Sequence, residues 1–358
     1  MKVHTPQILV AASSGTLANF LVDEIINSFG IESLSISDYK GERLHAYRKR
    51  LYEKYGKAPK AQLIDITSIE SVKSGIEDVD YVIVPVSQKR PLIQEICIQK
   101  GVVCIDLTVS EEFIDNVIEL QAKACGGESL LLMAAGLFPG LSGIIANSIH
   151  ANNPEAIVDI GLLQSNDGMA GGTGIADMLQ LLNRDTIFNT PTKAFKKKGF
   201  SYSKAFGFNH RLGTKQLRLA HFIEAKYLQK RLNINSNYWS AFDSEKFNQL
   251  IALLRKVRLL NLFENPKYRL RIARFISNRK PDAHEEVVGI IGQTDEVNKI
   301  VVLLESDYAA TAACAVAFVK LLSRSSKEEY GVFFPFELFE LNDVLKLVEH
   351  KTVSANKS

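Results

Sequence analysis

Along the first hundred residues, short apolar runs alternate with longer stretches in which apolar positions recur every three or four residues. QILVAAS (7–13) reads as a strand, GTLANFLVDEIINSFG (15–30) as a helix closed by Gly30, ESLSISD (32–38) as a second strand and HAYRKRLYEKYG (45–56) as a polar helix. AQLIDIT (61–67) follows, then a helix that Ser68 can cap, then the apolar strand DYVIVPV (80–86). PLIQEICIQKG (91–101) is a helix with Pro91 in its first turn and Gly101 at its end, and GVVCIDLT (101–108) is another apolar strand. Continuous apolar strands separated by helices predict a parallel sheet covered on both faces.

EEFIDNVIELQAKACG (111–126) reads as one helix, ESLLLMAAG (128–136) as a strand, and LSGIIANSIHAN (141–152) as a helix entered after Pro139 and Gly140. From about Ala151 the pattern shifts to strands with partial alternation: AIVDIGLLQS (156–165), GFSYSKAF (199–206), KYRLRIARFIS (267–277), and a hairpin VVGIIGQTDEVNKIVVLLE turning at Thr294 to Asn298. The helix within 242–261 packs on them, GTKQLRLAHFIEAK (213–226) looks helical, and the chain is expected to end on helices after the Ala-rich run Tyr308 to Ser323. The pattern therefore predicts the α/β class: a parallel-sheet domain at about 1–150, then a second domain on a largely antiparallel sheet.

Composition narrows the picture by exclusion. With 358 residues, 46% hydrophobic and 23% charged, the chain is an ordinary globular protein of about two domains by the usual length prior. A formal charge of +3 lacks the basic excess of a nucleic-acid binder. The N-terminus has no signal-peptide core, so a cytoplasmic location is expected, and the run at 308–322 is too short and too interrupted to span a membrane. Cys97, Cys104, Cys125 and Cys314 form no C-x-x-C pair and have no His at ligand spacing, so they read as reduced core thiols with no metal.

The chemistry concentrates at the first strand-to-helix turn. Ser13-Ser14-Gly15-Thr16-Leu17-Ala18 occupies the place of a G-x-G-x-x-G fingerprint, with Ser13, Gly15 and Ala18 at the three glycine positions. Such a turn must be tight, must let a pyrophosphate approach the backbone, and must present free N–H groups at a helix N-terminus. Asp38 closes the second strand about 20 residues downstream, where an acid meets a ribose hydroxyl. Lys40, Arg43, Arg48, Lys49 and Arg50 follow it and favour a 2′-phosphate, so NADP is preferred and NAD stays open. Val84, Pro85 and Ser87 close the fourth strand and flank the nicotinamide half.

The run DYVIVPVSQKRPLIQEICIQKGVVCIDLTVSEEF and the later LLLMAAGLFPGLSGIIAN resemble the saccharopine dehydrogenase-like family. Its A-G-x-x-P-G-L segment is here Ala135 to Leu141, its glycine-then-buried-strand unit is Gly101 to Asp106, its G-G-T stretch is at Gly171 to Gly174, and its G-V-x-x-P close is near Tyr330 to Pro335. The resemblance implies NADP(H) or NAD(H) binding that also involves Asp106, Gly136 and Pro139. It further implies a Rossmann-like parallel-sheet domain at 1–150 completed by a returning C-terminal segment at 305–358, an inserted α+β substrate domain at 151–304 on a largely antiparallel sheet, a homodimer, and reversible hydride transfer at a carbon bearing an amine of a small carboxylated substrate. Ser13 stands where the family prefers glycine, and Phe138 where many members have an acid.

Candidate catalytic groups in the second domain are Asp167, Tyr202, His210 and Arg211, with Thr173 and Lys204 beside them. Asn209-His210-Arg211 can clamp a carboxylate or form a surface turn. His221 reads as packed or solvent-facing, and KAFKKKGF (193–200) as a solvated basic face or a docking site for an acidic carrier. Two other readings remain at this level: a regulatory protein with a decayed cofactor loop, and a reductase acting on a carrier-bound substrate.

Overall fold

The computed structural model describes residues 5–164, 184–209, 212–257, 287–325 and 329–357. Two compact units emerge, one from Met1–Leu141 with Thr311–Val348 and the other from Ser142–Ala310 with Glu349–Ser358.

The first unit is a seven-stranded, wholly parallel sheet. Its strands are β1 (Ile8–Val10), β2 (Leu34–Asp38), β3 (Lys60–Leu63), β4 (Tyr81–Val84), β5 (Val103–Asp106), β6 (Leu130–Leu132) and β15 (Gly331–Phe333). They lie in the order β15-β6-β5-β4-β1-β2-β3. This is the Rossmann order 3-2-1-4-5-6 with one strand added by the returning C-terminal segment. The central strands β1, β4 and β6 are buried along their whole length, as the unbroken apolar runs predict.

Helices α1 (Thr16–Phe29), α2 (Gly41–Tyr55), α3 (Ile69–Gly75) and α4 (Leu92–Lys100) connect the first five strands. Ser68 caps α3 by accepting from the Ser71 N–H. Gly56 and Gly101 end α2 and α4 in the left-handed conformation, which suits a residue with no Cβ. The single helix expected over 111–126 is two, α5 (Glu111–Ile118) and α6 (Gln121–Gly126). A tighter turn, Leu120 N–H to Val117 O at 2.9 Å, divides them and sends Leu120 into the core. Helices α11 (Pro335–Leu338) and α12 (Leu341–Leu347) lie in this unit, as does α10 (Asp307–Arg324) from Thr311 onward, whereas α7 (Leu141–Asn152) belongs to the second unit from Ser142. Among the described residues, no helix is long and apolar enough to cross a membrane.

In the second unit a curled, mixed sheet runs β10-β11-β12-β7-β13-β14-β16. Its strands are β7 (Val158–Gln164), β10 (Ser203–Gly207), β11 (Thr214–Leu219), β12 (Ser236–Phe242), β13 (Val287–Gln293), β14 (Lys299–Glu305) and β16 (Thr352–Lys357). Every neighbouring pair is antiparallel except β12 with β7. The hairpin β13–β14 turns where expected, with Asp295 Oδ1 accepting from the N–H groups of Val297 and Asn298. Leu163, Phe206, Leu217, Trp239, Ile291 and Leu303 pack inside the curl.

Helices α8 (Ile223–Leu232) and α9 (Glu245–Lys256) belong to this unit, as does a separate hairpin of β8 (Asp185–Asn189) and β9 (Ala194–Lys198). Two expectations change here, and the basic run at 193–200 gains a strand. The first half of 213–226 is strand β11, because Leu217 and Leu219 alternate into the core. KAFKKKGF is mostly strand β9. The chain ends on strand β16, which covers the apolar edge of β14 and so extends the second sheet with residues assigned in advance to the first domain. The expected strand at 267–277 lies outside the described residues.

Candidate functional site

In an open parallel sheet, ligands lie across the carboxyl ends of the strands where the strand order reverses, here between β1 and β4. The turn leaving β1 is built on β2. The Ser13 N–H and Ser13 Oγ both donate to Ser37 O, at 2.7 and 2.9 Å, and Ser37 Oγ in turn donates to Val10 O at 3.2 Å. Ser13 is fully buried, so its side chain serves the turn and not a ligand. The left-handed residue that tightens the turn is Ala12, at φ 51°, one position before the expected one.

Gly15 is the N-cap of α1 at φ −78°, with no capping side chain and no acid in the first turn. Gly15 and Thr16 are exposed, and Leu17 is half-buried. The first-turn N–H groups of Thr16, Leu17 and Ala18 have no partner within the helix by geometry. A Cβ on Gly15 would meet nothing closer than Ala12 O at 3.9 Å. The space over the helix end is therefore open to an anion. Buried Ala18 packs the helix against the sheet.

Asp38, buried at the end of β2, accepts from the Lys40 N–H at 2.9 Å and from Arg43 Nη2 at 2.9 and 2.7 Å, and Ser14 Oγ also donates to it. Burial pushes the Asp38 carboxyl up, but these donors outweigh it and hold the group below its ordinary range. Arg43 keeps half of its side chain exposed and lies 5.3 Å from the Tyr39 ring centroid, with Lys40 at 5.4 Å. The more distal basic residues are engaged elsewhere. Arg48 donates to Pro59 O, Arg50 to Asn19, and Lys49 faces Glu53.

At the end of β4, Val84 is buried, Pro85 half-buried and Ser87 exposed. Asp106, the last residue of β5, is fully buried. It accepts from the Thr108 N–H at 2.7 Å, Gln94 Nε2 at 2.5 Å and Gln88 Nε2 at 3.3 Å. With no cation in this set, burial outweighs those bonds and pushes the carboxyl up to about 7. Gln88 and Gln94 were not anticipated; the available signal was a Gln inside the otherwise apolar face Ile93, Ile96, Cys97 of α4.

Gly136 and Pro139 are buried in a turn that closes on itself, Gly136 N–H to Pro139 O at 3.0 Å and Leu141 N–H to Gly136 O at 3.1 Å. Gly140, at φ 129°, must be glycine, since a Cβ would lie 2.1 Å from Gly136 O.

In the second unit, Tyr202 is exposed, stacks on Phe188 and accepts from Lys197 Nζ at 2.8 Å. Lys204 pairs with buried Asp159, which also accepts from Trp239 Nε1 at 2.7 Å. His221 precedes α8 and does not lie within a helix. The Lys193 and Lys197 ammoniums sit over the Phe195 ring and Lys196 faces Asp185, so the basic run is partly engaged along its own hairpin. Asp167, Gly171 to Gly174, His210 and Arg211 lie outside the described residues. Cys97, Cys104 and Cys314 are buried, whereas Cys125 is exposed, contrary to the core reading, and donates to Tyr330 O.

No family model and no curated protein matches the sequence. Among solved structures, saccharopine dehydrogenase (L-Glu forming) from Saccharomyces cerevisiae is similar over 99% of this chain and 100% of its own, with TM-score 0.66 and 12% identity. Homospermidine synthase from Legionella pneumophila, solved in complex with NAD, is similar over 99% and 92%, with TM-score 0.65 and 13% identity. At such identity the likeness speaks to architecture, and the chain has a saccharopine dehydrogenase-like fold.

Proposed function

We propose that the protein is a nicotinamide-dependent oxidoreductase that transfers hydride at a carbon bearing an amine of a small carboxylated substrate, with NADP(H) preferred to NAD(H). The observation that carries this reading is the uncapped N-terminus of α1, opening beside Gly15 at the reversal point of a Rossmann-ordered sheet. The dinucleotide-bound homospermidine synthase of the same architecture supports it.

The residues present fit a dinucleotide. The N–H groups of Thr16, Leu17 and Ala18 would hold the pyrophosphate, and Gly15 leaves it room. Both Asp38 oxygens are engaged inside the chain, so a bare ribose hydroxyl finds a poorer acceptor than at a free acid. Half-exposed Arg43, with Lys40 beside Tyr39, offers positive charge that suits a 2′-phosphate. The bound cofactor supplies the hydride. The amine and carboxylate of the substrate follow from the motif resemblance, and Tyr202, Asp167, His210 and Arg211 remain the proposed groups for orienting it.

Thermal shift tests the reading. NADPH near millimolar concentration should raise the melting temperature more than NADH does, since a ligand at about 100 times its Kd adds about 2.7 kcal/mol. Arg43→Ala should remove that preference. A wild-type chain that responds to neither nucleotide sinks the proposal.

A further inference from the structure

Asp106, Gln94 and Gln88 form a buried polar cluster where the ends of β4 and β5 meet. An ionised carboxylate can only accept, so each glutamine must turn its NH2 toward Asp106 and its carbonyl away. Both carbonyl oxygens, Gln88 Oε1 and Gln94 Oε1, are buried and have no hydrogen-bond partner. Gln94 itself is fully buried, while Gln88 is half-buried on the loop after β4, so a rotation of its side chain brings its carbonyl to a ligand where that of Gln94 stays enclosed. Unsatisfied buried acceptors are costly, and two in one cluster point to a missing donor. Phosphates and carboxylates bring only further acceptors, and the adenosine ribose belongs at the β2 side of the sheet. Toward the β4 side a nicotinamide dinucleotide carries the hydroxyls of its second ribose and its carboxamide N–H, and of these the planar amide is the donor that pairs in plane with a glutamine carbonyl.

We propose that Gln88 accepts a hydrogen bond from the nicotinamide carboxamide, and that Asp106, acting with Gln94, is the positioning residue that fixes the Gln88 amide with its oxygen offered to the ligand. This rests on the dinucleotide reading above. Asp106 near neutrality gives the arrangement a pH signature: protonated, it donates as well as accepts, and no longer dictates which way the amides turn. The titratable groups beside it are Cys104, two residues earlier on β5, and through it Cys97 on α4; the Cys104 thiol is held protonated by Cys97, by burial and by the Asp106 charge.

The test is calorimetric binding of three ligands: NADPH, its 3-acetylpyridine analogue, which lacks the N–H, and 2′-phospho-ADP-ribose, which lacks the ring. Wild type at pH 8 should bind NADPH about tenfold tighter than the acetyl analogue, and that advantage should fade as pH falls through about 7. Gln88→Ala should bind both dinucleotides alike while keeping its affinity for the ring-less fragment. Asp106→Asn should show a reduced carboxamide advantage with no pH dependence, and if it fails to fold the Gln88 variant still decides. Equal weakening of all three ligands by Gln88→Ala overturns the assignment, as does a wild type that holds the fragment but treats the two dinucleotides alike. A wild type that binds none of the three overturns the oxidoreductase reading, and this assignment with it.

Discussion

Asp38 and Asp106 occupy equivalent places: each is the last residue of a strand in the same parallel sheet, each is buried, and each accepts from a backbone N–H two residues on. Their carboxyls nonetheless move in opposite directions. The difference is the company. Asp38 has the Arg43 guanidinium and a hydroxyl, whereas Asp106 has only neutral amides. Burial raises both; a guanidinium nitrogen shared between the two carboxylate oxygens, with Ser14 and the Lys40 N–H, reverses the sign at one, and the absence of a cation leaves it at the other. Charge geometry and the greater depth of Asp106 together separate an acid kept ionised from one poised to hold a proton.

The largest expected effect that tests this contrast is on Asp106. Because its folded carboxyl titrates at about 7, above its ordinary range, the folded state retains a proton that the unfolded chain releases, and stability falls as pH rises from about 4 to about 7. Asp106→Asn should remove that decline, raising stability at pH 8 by on the order of 3–4 kcal/mol while changing little at pH 4. Urea unfolding at both pH values measures it, and a destabilised variant at pH 8 would break the contrast.

Asp38 has the opposite sign. Its lowered folded value adds stability that is present above the ordinary carboxylate range and lost as pH falls below it. Asp38→Ala strips the acceptor from Ser14, Lys40 N–H and Arg43, and should cost about 2 kcal/mol at pH 7 and less at pH 3. An unchanged urea midpoint at pH 7 would show that Arg43 does not hold this acid.

A smaller effect sharpens the β1–α1 turn. Ser13→Gly removes the hydroxyl's bond to Ser37 O, leaving the backbone one, and should destabilise by about 1 kcal/mol. Ala12→Gly relieves a left-handed alanine and should be neutral to stabilising by up to about 1 kcal/mol. Thermal melts of the two variants should move apart; a stabilising glycine at 13 would relocate the turn's strained residue.

The strand-helix alternation of the first unit was readable because buried parallel strands carry unbroken apolar runs and helix ends carry their own caps, as at Ser68 and Gly101. Gly15 and Asp38 could be placed at a helix start and a strand end from local pattern, and Asp106 at a strand end from the motif resemblance. Ser13 was assigned a turn role that Ala12 holds, since both are small and nothing local distinguishes which one takes the positive φ. In the second unit, β11 passed for helix because its apolar positions, Leu217 and Leu219, are too few to distinguish the two periods. Strand β16 escaped notice because its partner, β14, is some fifty residues away in sequence.

Local patterning therefore determined the α/β class, the parallel strands of the first unit and where those strands end, since periodicity and capping act over a few residues. Tertiary structure alone decided that Arg43 reaches Asp38, that Gln88 and Gln94 converge on Asp106, and that the chain closes on the second sheet. Each of these depends on side chains or strands brought together by the fold, and the environment that sets a carboxyl's charge does not exist until they meet.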